Sequence, residues 1–188
     1  MNRRTILKSL SGLLAAGCGA VVGIPGVRYL IGTVRRHGGG GEIVQRVIRL
    51  NELKVGQPFR VVVTGQRRDA WTVYARETIG RVWLVRRAPD KNSPDEGRVE
   101  AFTAVCPHLG CLVKLDDGNR FMCPCHKAAW TFDGKMVSDE ALTYKNVSPR
   151  DLDSLDCRIV KDAQSGEAWV EVKYRKFELG VSQKVPRA

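Results

Sequence analysis

An all-β, antiparallel domain behind one N-terminal transmembrane helix is the architecture this sequence predicts. Three observations predict it. Residues 9–27 form an apolar run with no ionisable side chain except Cys18. The run Gly38–Gly41 separates that segment from the rest of the chain. Beyond it, short stretches rich in Val, Ile, Phe and Trp alternate with turn residues, and none reads as a long amphipathic helix.

The chain has 188 residues, which suits one domain of about 145 residues and an N-terminal appendage. Its formal charge of +11 is uneven: residues 1–36 carry six Arg or Lys and no acid, and the remainder carries 25 bases against 20 acids. No basic helix with base-reading spacing appears, so a nucleic-acid partner is not expected. Anionic membrane lipid near the first segment explains the positive end better.

Residues 1–8 are expected to be a signal region and residues 9–34 a membrane anchor. Nineteen helical residues, 9–27, span about 28 Å, just a hydrocarbon core. Pro25 interrupts this stretch, but apolar character resumes at Tyr29-Leu30-Ile31. A cleaved signal core is the alternative; no clean Ala-x-Ala site closes the segment, which favours an uncleaved anchor. Leu14-Ala15-Ala16-Gly17 before Cys18 makes a faint lipidation box, weakened by the alanine three positions before the cysteine. Residues 35–42 read as a swivel, because four glycines hold no single backbone state.

The head is expected over residues 43–176. Ile43–Leu50, Phe59–Val63 and Arg81–Val85 read as strands, with a turn-rich connection over 51–58. Residues 88–98 are polar and rich in Pro and Gly, a surface loop. Val99–Val105 follows as a strand, Asp116–Asn119 as a hairpin turn, and 157–161 with 168–172 as a second hairpin around Gln164–Glu167. Residues 177–188 read as a basic, polar tail, mobile or facing a partner.

Two short runs carry the chemistry: Cys-Pro-His-Leu-Gly-Cys at 106–111 and Cys-Pro-Cys-His at 123–126. Each offers a thiolate and an imidazole, at Cys106 with His108 and at Cys123 with His126. Cys111 or Cys125 is left over in each. Two Cys and two His suit a tetrahedral zinc. They equally suit a [2Fe–2S] cluster with two histidines on one iron and two cysteines on the other.

The paired runs resemble the Rieske iron–sulfur signature, C-x-H-x-G-C followed by C-x-x-H, and fill it without a gap. The start, Asn2-Arg3-Arg4-Thr5-Ile6-Leu7-Lys8, resembles a twin-arginine export signal, which suits a protein that crosses a bacterial membrane folded and loaded. Nearly the whole chain follows the pattern of the Rieske subunit of a quinol:cytochrome c oxidoreductase, of the bacterial bc1 or b6f-like type.

That resemblance implies a Rieske-type β domain with a cluster-binding subdomain and one [2Fe–2S] cluster per chain. Its ligands would be Cys106, His108, Cys123 and His126, with a disulfide between Cys111 and Cys125. His126 would hydrogen-bond the quinol, and Leu109 would lie over the cluster as an apolar lid and docking contact. Pro149, in Val147–Arg150, would shield it. The glycine hinge would let the head move between a cytochrome b-type subunit and a c-type cytochrome subunit. Location would be the bacterial cytoplasmic membrane, head on the periplasmic side, with the chain an enzyme subunit that is not catalytic alone.

The stretch after His126 departs from the family. High-potential members continue Gly-Ser and, two further on, Tyr, whose hydroxyls bond cluster sulfurs. Here Lys127-Ala128-Ala129-Trp130 follows, and both hydroxyls are missing. Each such donor favours the reduced cluster, so their loss lowers the potential and suits menaquinol.

Three histidines are too few for the additional mononuclear iron of an aromatic-ring dioxygenase. The small Rieske subunit of an arsenite oxidase remains an alternative. A non-redox zinc-binding module is the alternative of a different class.

Overall fold

The computed structural model describes residues 2–35, 42–68, 72–89, 97–117 and 119–187. The glycine run Gly38–Gly41, most of the 88–98 loop and Gly118 of the expected hairpin turn lie outside the described residues.

The N-terminal unit is one helix, α1 (Arg3–Arg35). It continues through Pro25, which the sequence reading took as an interruption. Proline removes one hydrogen bond inside a helix, and the bonds on either side carry the helix across it. Arg3–Gly32 is long and apolar enough to cross a membrane by length and composition.

The second unit, Glu42–Arg187, holds the β head. A six-stranded antiparallel sheet runs in the order β1 (Ile43–Arg49), β9 (Ala168–Tyr174), β8 (Ser154–Lys161), β4 (Val99–Thr103), β3 (Val73–Arg86), β2 (Pro58–Arg68). It curls until its edges nearly meet. Register shifts at Arg46/Ile48 in β1 and Val63/Thr64 in β2 bend the two edge strands. Among the described residues Gln45 bridges the seam between them: it donates from Nε2 to Thr64 Oγ1 (3.2 Å) and accepts from Thr64 N–H (3.0 Å). A side-chain amide thus replaces the ladder and blunts the exposed edge.

A smaller sheet, β5 (Lys114–Asp116), β6 (Arg120–Met122) and β7 (Ala129–Trp130), carries the two metal-ligand runs, followed by one helical turn, α2 (Asp139–Leu142). Ser138 caps that turn by accepting from Ala141 N–H (3.4 Å).

The run Val82-Trp83-Leu84-Val85 is buried at every position because β3 is a wall shared by two cores. Val82 and Leu84 face the near-barrel core with Val63, Val170, Val172 and Tyr174. Trp83 and Val85 face the second core, with Phe102, Phe121, Trp130 and the two buried cysteines. The period-two alternation of a strand sorts these side chains. Trp83 Nε1 donates to Val113 O (3.2 Å), fastening the small sheet to that wall. Gly80 in β3 has no side chain, and the Tyr174 ring from β9 occupies the space a β-carbon would take.

β3 begins at Val73, eight residues before the expected strand, and β2 extends to Arg68. The added length has mostly exposed residues on both faces and therefore no alternation for a sequence reading to detect. The tail also differs from expectation. Residues 177–187 belong to the same compact unit as the head. Phe177 is buried and pairs with Pro186, and Glu178 N–H donates to Val185 O (2.9 Å).

Candidate metal centre

Two loops of one design form the site. In the first, Cys106 N–H donates to Cys111 O (2.8 Å), and Gly110 N–H returns to Cys106 O (2.9 Å). In the second, Cys123 N–H donates to Ala128 O (2.8 Å), and Lys127 N–H returns to Cys123 O (2.9 Å). Each loop closes with the fifth residue at positive φ, 81° at Gly110 and 57° at Lys127. By this equivalence Cys106 matches Cys123, Pro107 matches Pro124 and Leu109 matches His126. The histidine stands third in one loop and fourth in the other.

Cys106 and Cys123 are each 1% exposed and belong to the second core. His108 is half-buried and His126 exposed. Their ring centroids lie 5.0 Å apart at an interplanar angle of 74°. The site therefore has a thiol side against the protein and an imidazole side toward solvent. Leu109 is 62% exposed beside them.

Cys111 and Cys125 are bonded to each other and join the two loops. The sulfurs of Cys111, Cys123 and Cys125 lie within 4.8 Å of one another. The bonded pair has no thiolate to give, whereas Cys106 and Cys123 are free, buried thiols. A disulfide here typically adds 2–4 kcal/mol, about the cost of holding two loops side by side.

Burial pushes the Cys106 thiol up to about 11; backbone N–H groups of His108 and Leu109 pull it down, and the neighbouring Cys123 pushes it further up. Without a cation this sulfur keeps its proton at neutral pH. A bound metal would supply the compensating charge, with Cys106 giving up that proton. Two buried thiols beside two adjacent imidazoles fit an iron–sulfur cluster of mixed ligation.

The two positions where the sequence departs from the resembling pattern are closed. Ala128 is 1% exposed and packs in the core with both cysteines. Trp130 is fully buried, and its Nε1–H is committed to Arg150 O (3.2 Å). Pro149 is half-buried between the buried Ser148 and Arg150. Cys157 donates to Val99 O (2.9 Å). Cys18 lies in α1.

Sequence reasoning did not find Arg150, whose guanidinium makes a paired contact with Asp153 (2.8 Å and 2.8 Å) inside the head. An arginine on a surface turn and one in a buried pair look alike in one sequence. It also did not find that Lys127 holds a left-handed backbone. Lysine where high-potential members of the resembling pattern have glycine was the available signal.

The Rieske [2Fe-2S] domain family matches residues 44–149, and the chain belongs to it. It carries the Rieske-type cluster-binding motif, consistent with one [2Fe–2S] cluster per chain. Its relatives include the cytochrome b6-f complex iron-sulfur subunits of Prochlorococcus marinus, 36% identical over 44% of this chain and 44% of that one, and of Chlorobaculum tepidum, 32% identical over 73% and 63%. The menaquinol:cytochrome c reductase iron-sulfur subunit of Geobacillus thermodenitrificans is 29% identical over 70% of this chain and 71% of its own. The chain thus spans from under a half to about seven-tenths of the length of these relatives.

Proposed function

We propose that this chain is the electron-transfer subunit of a quinol:cytochrome c oxidoreductase, with Cys106 and Cys123 holding one iron and His108 and His126 the other. The observation that carries the reading is the polarity of the site. Two histidine rings meet at the exposed tip, and two cysteines lie 1% exposed behind them. When bound, such a cluster supplies a one-electron acceptor whose potential is raised by neutral imidazoles in place of thiolates.

The residues then divide the work. His126, the more exposed imidazole, would meet the quinol hydroxyl. His108 stays closer to the protein. Leu109 presents an apolar contact beside the exposed ring and helps to exclude water when the tip docks. A cytochrome b-type subunit would face this tip, and a c-type cytochrome would take the electron onward. The apolar helix α1 supports membrane anchoring, and a position outside the cytoplasmic membrane agrees with the disulfide. The Gly38–Gly41 run would serve as the hinge.

Menaquinol is the quinol this reading favours, because residue 128 has no hydroxyl and the Trp130 N–H is committed elsewhere. An EPR spectrum of the reduced holoprotein tests the assignment. The expected signal has g-values averaging below 2, and a zinc-loaded, EPR-silent protein overturns it. Purifying the native complex and identifying its subunits tests the partners.

A further inference from the structure

Residues 177–187 fold over the first loop as a closed flap. Arg187 N–H donates to Lys176 O (2.9 Å), so both ends of the flap are tied. Gly180 N–H donates to Pro107 O (2.8 Å). Leu179 Cδ1 lies 2.9 Å from the point where a β-carbon on Gly110 would stand. Arg150 pins the flap from below. Besides Asp153, its guanidinium donates to Glu178 O (2.7 Å) and to Val181 O. The Arg150 carbonyl accepts from Trp130 Nε1 (3.2 Å) and Ser148 Oγ (2.7 Å), so one residue links the flap to the second loop's strand.

The peptide between Pro107 and His108 is held on both sides. In a trans peptide the C=O and N–H point in opposite directions. Here the C=O takes the Gly180 N–H, and the opposite N–H, that of His108, is among the backbone groups that pull the Cys106 thiol down. Hydrogen bonds to sulfur are among the factors that set a cluster's potential, and bonds in series strengthen one another.

We propose that residues 177–187, pinned by Arg150, are a positioning strap that orients the Pro107–His108 peptide and so holds the cluster's reduction potential up. The proposal rests on the ligand assignment above. Gly180 and Leu179 act through the first loop and touch no reacting atom.

Two variants of the full cluster-loaded protein test it. Leu179→Ala loosens the strap at a partly exposed residue and leaves every backbone donor in place. A chain ended after Phe177 removes the Gly180 donor and both of Arg150's flap acceptors while keeping the buried phenylalanine. Iron content, EPR g-values and the midpoint by protein-film voltammetry are read for each. The expected result is full iron in both, with the reduction equilibrium shifted toward the oxidised form about threefold in Leu179→Ala and about tenfold, or about 59 mV, in the shortened chain. Full iron with unmoved midpoints in both overturns the strap, because a merely structural flap changes stability alone. Should the shortened chain lose its iron, Leu179→Ala decides: a lowered midpoint supports the strap and an unchanged one defeats it. A parent protein without the EPR signal defeats the ligand assignment itself, before either variant is compared.

Discussion

Lys127 and Gly110 occupy the same place in the two ligand loops. Each donates its N–H to the carbonyl of the cysteine four residues earlier at 2.9 Å, and each does so at positive φ. One position is filled by the residue suited to that backbone, the other by a side chain that opposes it. The cost of a left-handed lysine is about 1–2 kcal/mol. Tyr144 helps to hold it, donating from its hydroxyl to Lys127 O (2.9 Å).

Exchanging residues at these equivalent positions should therefore give opposite results. Lys127→Gly relieves the backbone, offset in part by the greater freedom of glycine in the unfolded chain, and should leave stability unchanged or raise it by about 0.5 kcal/mol. Gly110→Ala should cost at least about 1–2 kcal/mol, because the added carbon meets both an unfavourable φ and Leu179. Urea titration of the two variants checks the pair.

Cys106, His108, Cys123 and His126 should each be indispensable to the cluster. Alanine at any one of them removes a ligand of the two-plus-two set, and iron and labile sulfide should fall to background. Cys111→Ala removes only the tie between the loops and should leave an assembled, less stable centre. Full-occupancy iron in His108→Ala defeats the assignment.

Ala128→Ser should raise the midpoint by tens of millivolts, since a bond stronger to the reduced cluster by about 1 kcal/mol corresponds to about 40 mV for one electron. Voltammetry against the parent reads it, and an unchanged or lowered value removes the argument for a low-potential quinol. Trp130→Tyr is a poorer probe. It empties space in a fully buried site and breaks the bond to Arg150 O, so its clearest effect should be lost stability.

Asp162 offers a pH test away from the site. It accepts from the backbone N–H groups of Ser165 and Gln164, from Ser165 Oγ and from Arg46, which hold its carboxyl at about 2. A depressed folded value means stability that is present above the usual carboxylate range and is lost as pH falls from about 4 toward 2. Asp162→Asn should flatten that part of a melting-temperature profile; an identical slope in both proteins argues against it.

The cluster loops were legible because their chemistry depends on residue type at fixed spacing, and Cys, His and Gly have few substitutes there. The shared wall was legible in part: Val82–Val85 reads as a strand, but only the fold shows that alternate residues serve different cores. Val73–Gly80 was not read as strand, since pairing with β2 rather than burial makes it one. The Arg150–Asp153 pair and the Gly180–Pro107 bond join residues brought together only by the finished fold. The alternating Phe177 and Leu179 before Gly180 were the one local sign that the tail packs.

The Gln45 bridge bears on how the head carries mechanical load. Any pull transmitted along the chain from its N-terminal segment enters at Glu42, which is paired with Lys173 and Arg175. Ion pairs at a surface are weakened by salt, so this first fastening loosens as ionic strength rises. The next fastenings are the β1–β9 ladder from Ile43↔Tyr174 onward and the Gln45 amide across the seam, which are far less sensitive to salt. A head towed by its N-terminus would thus yield first at a salt-sensitive clasp and stop at a salt-resistant one, one to three residues further in.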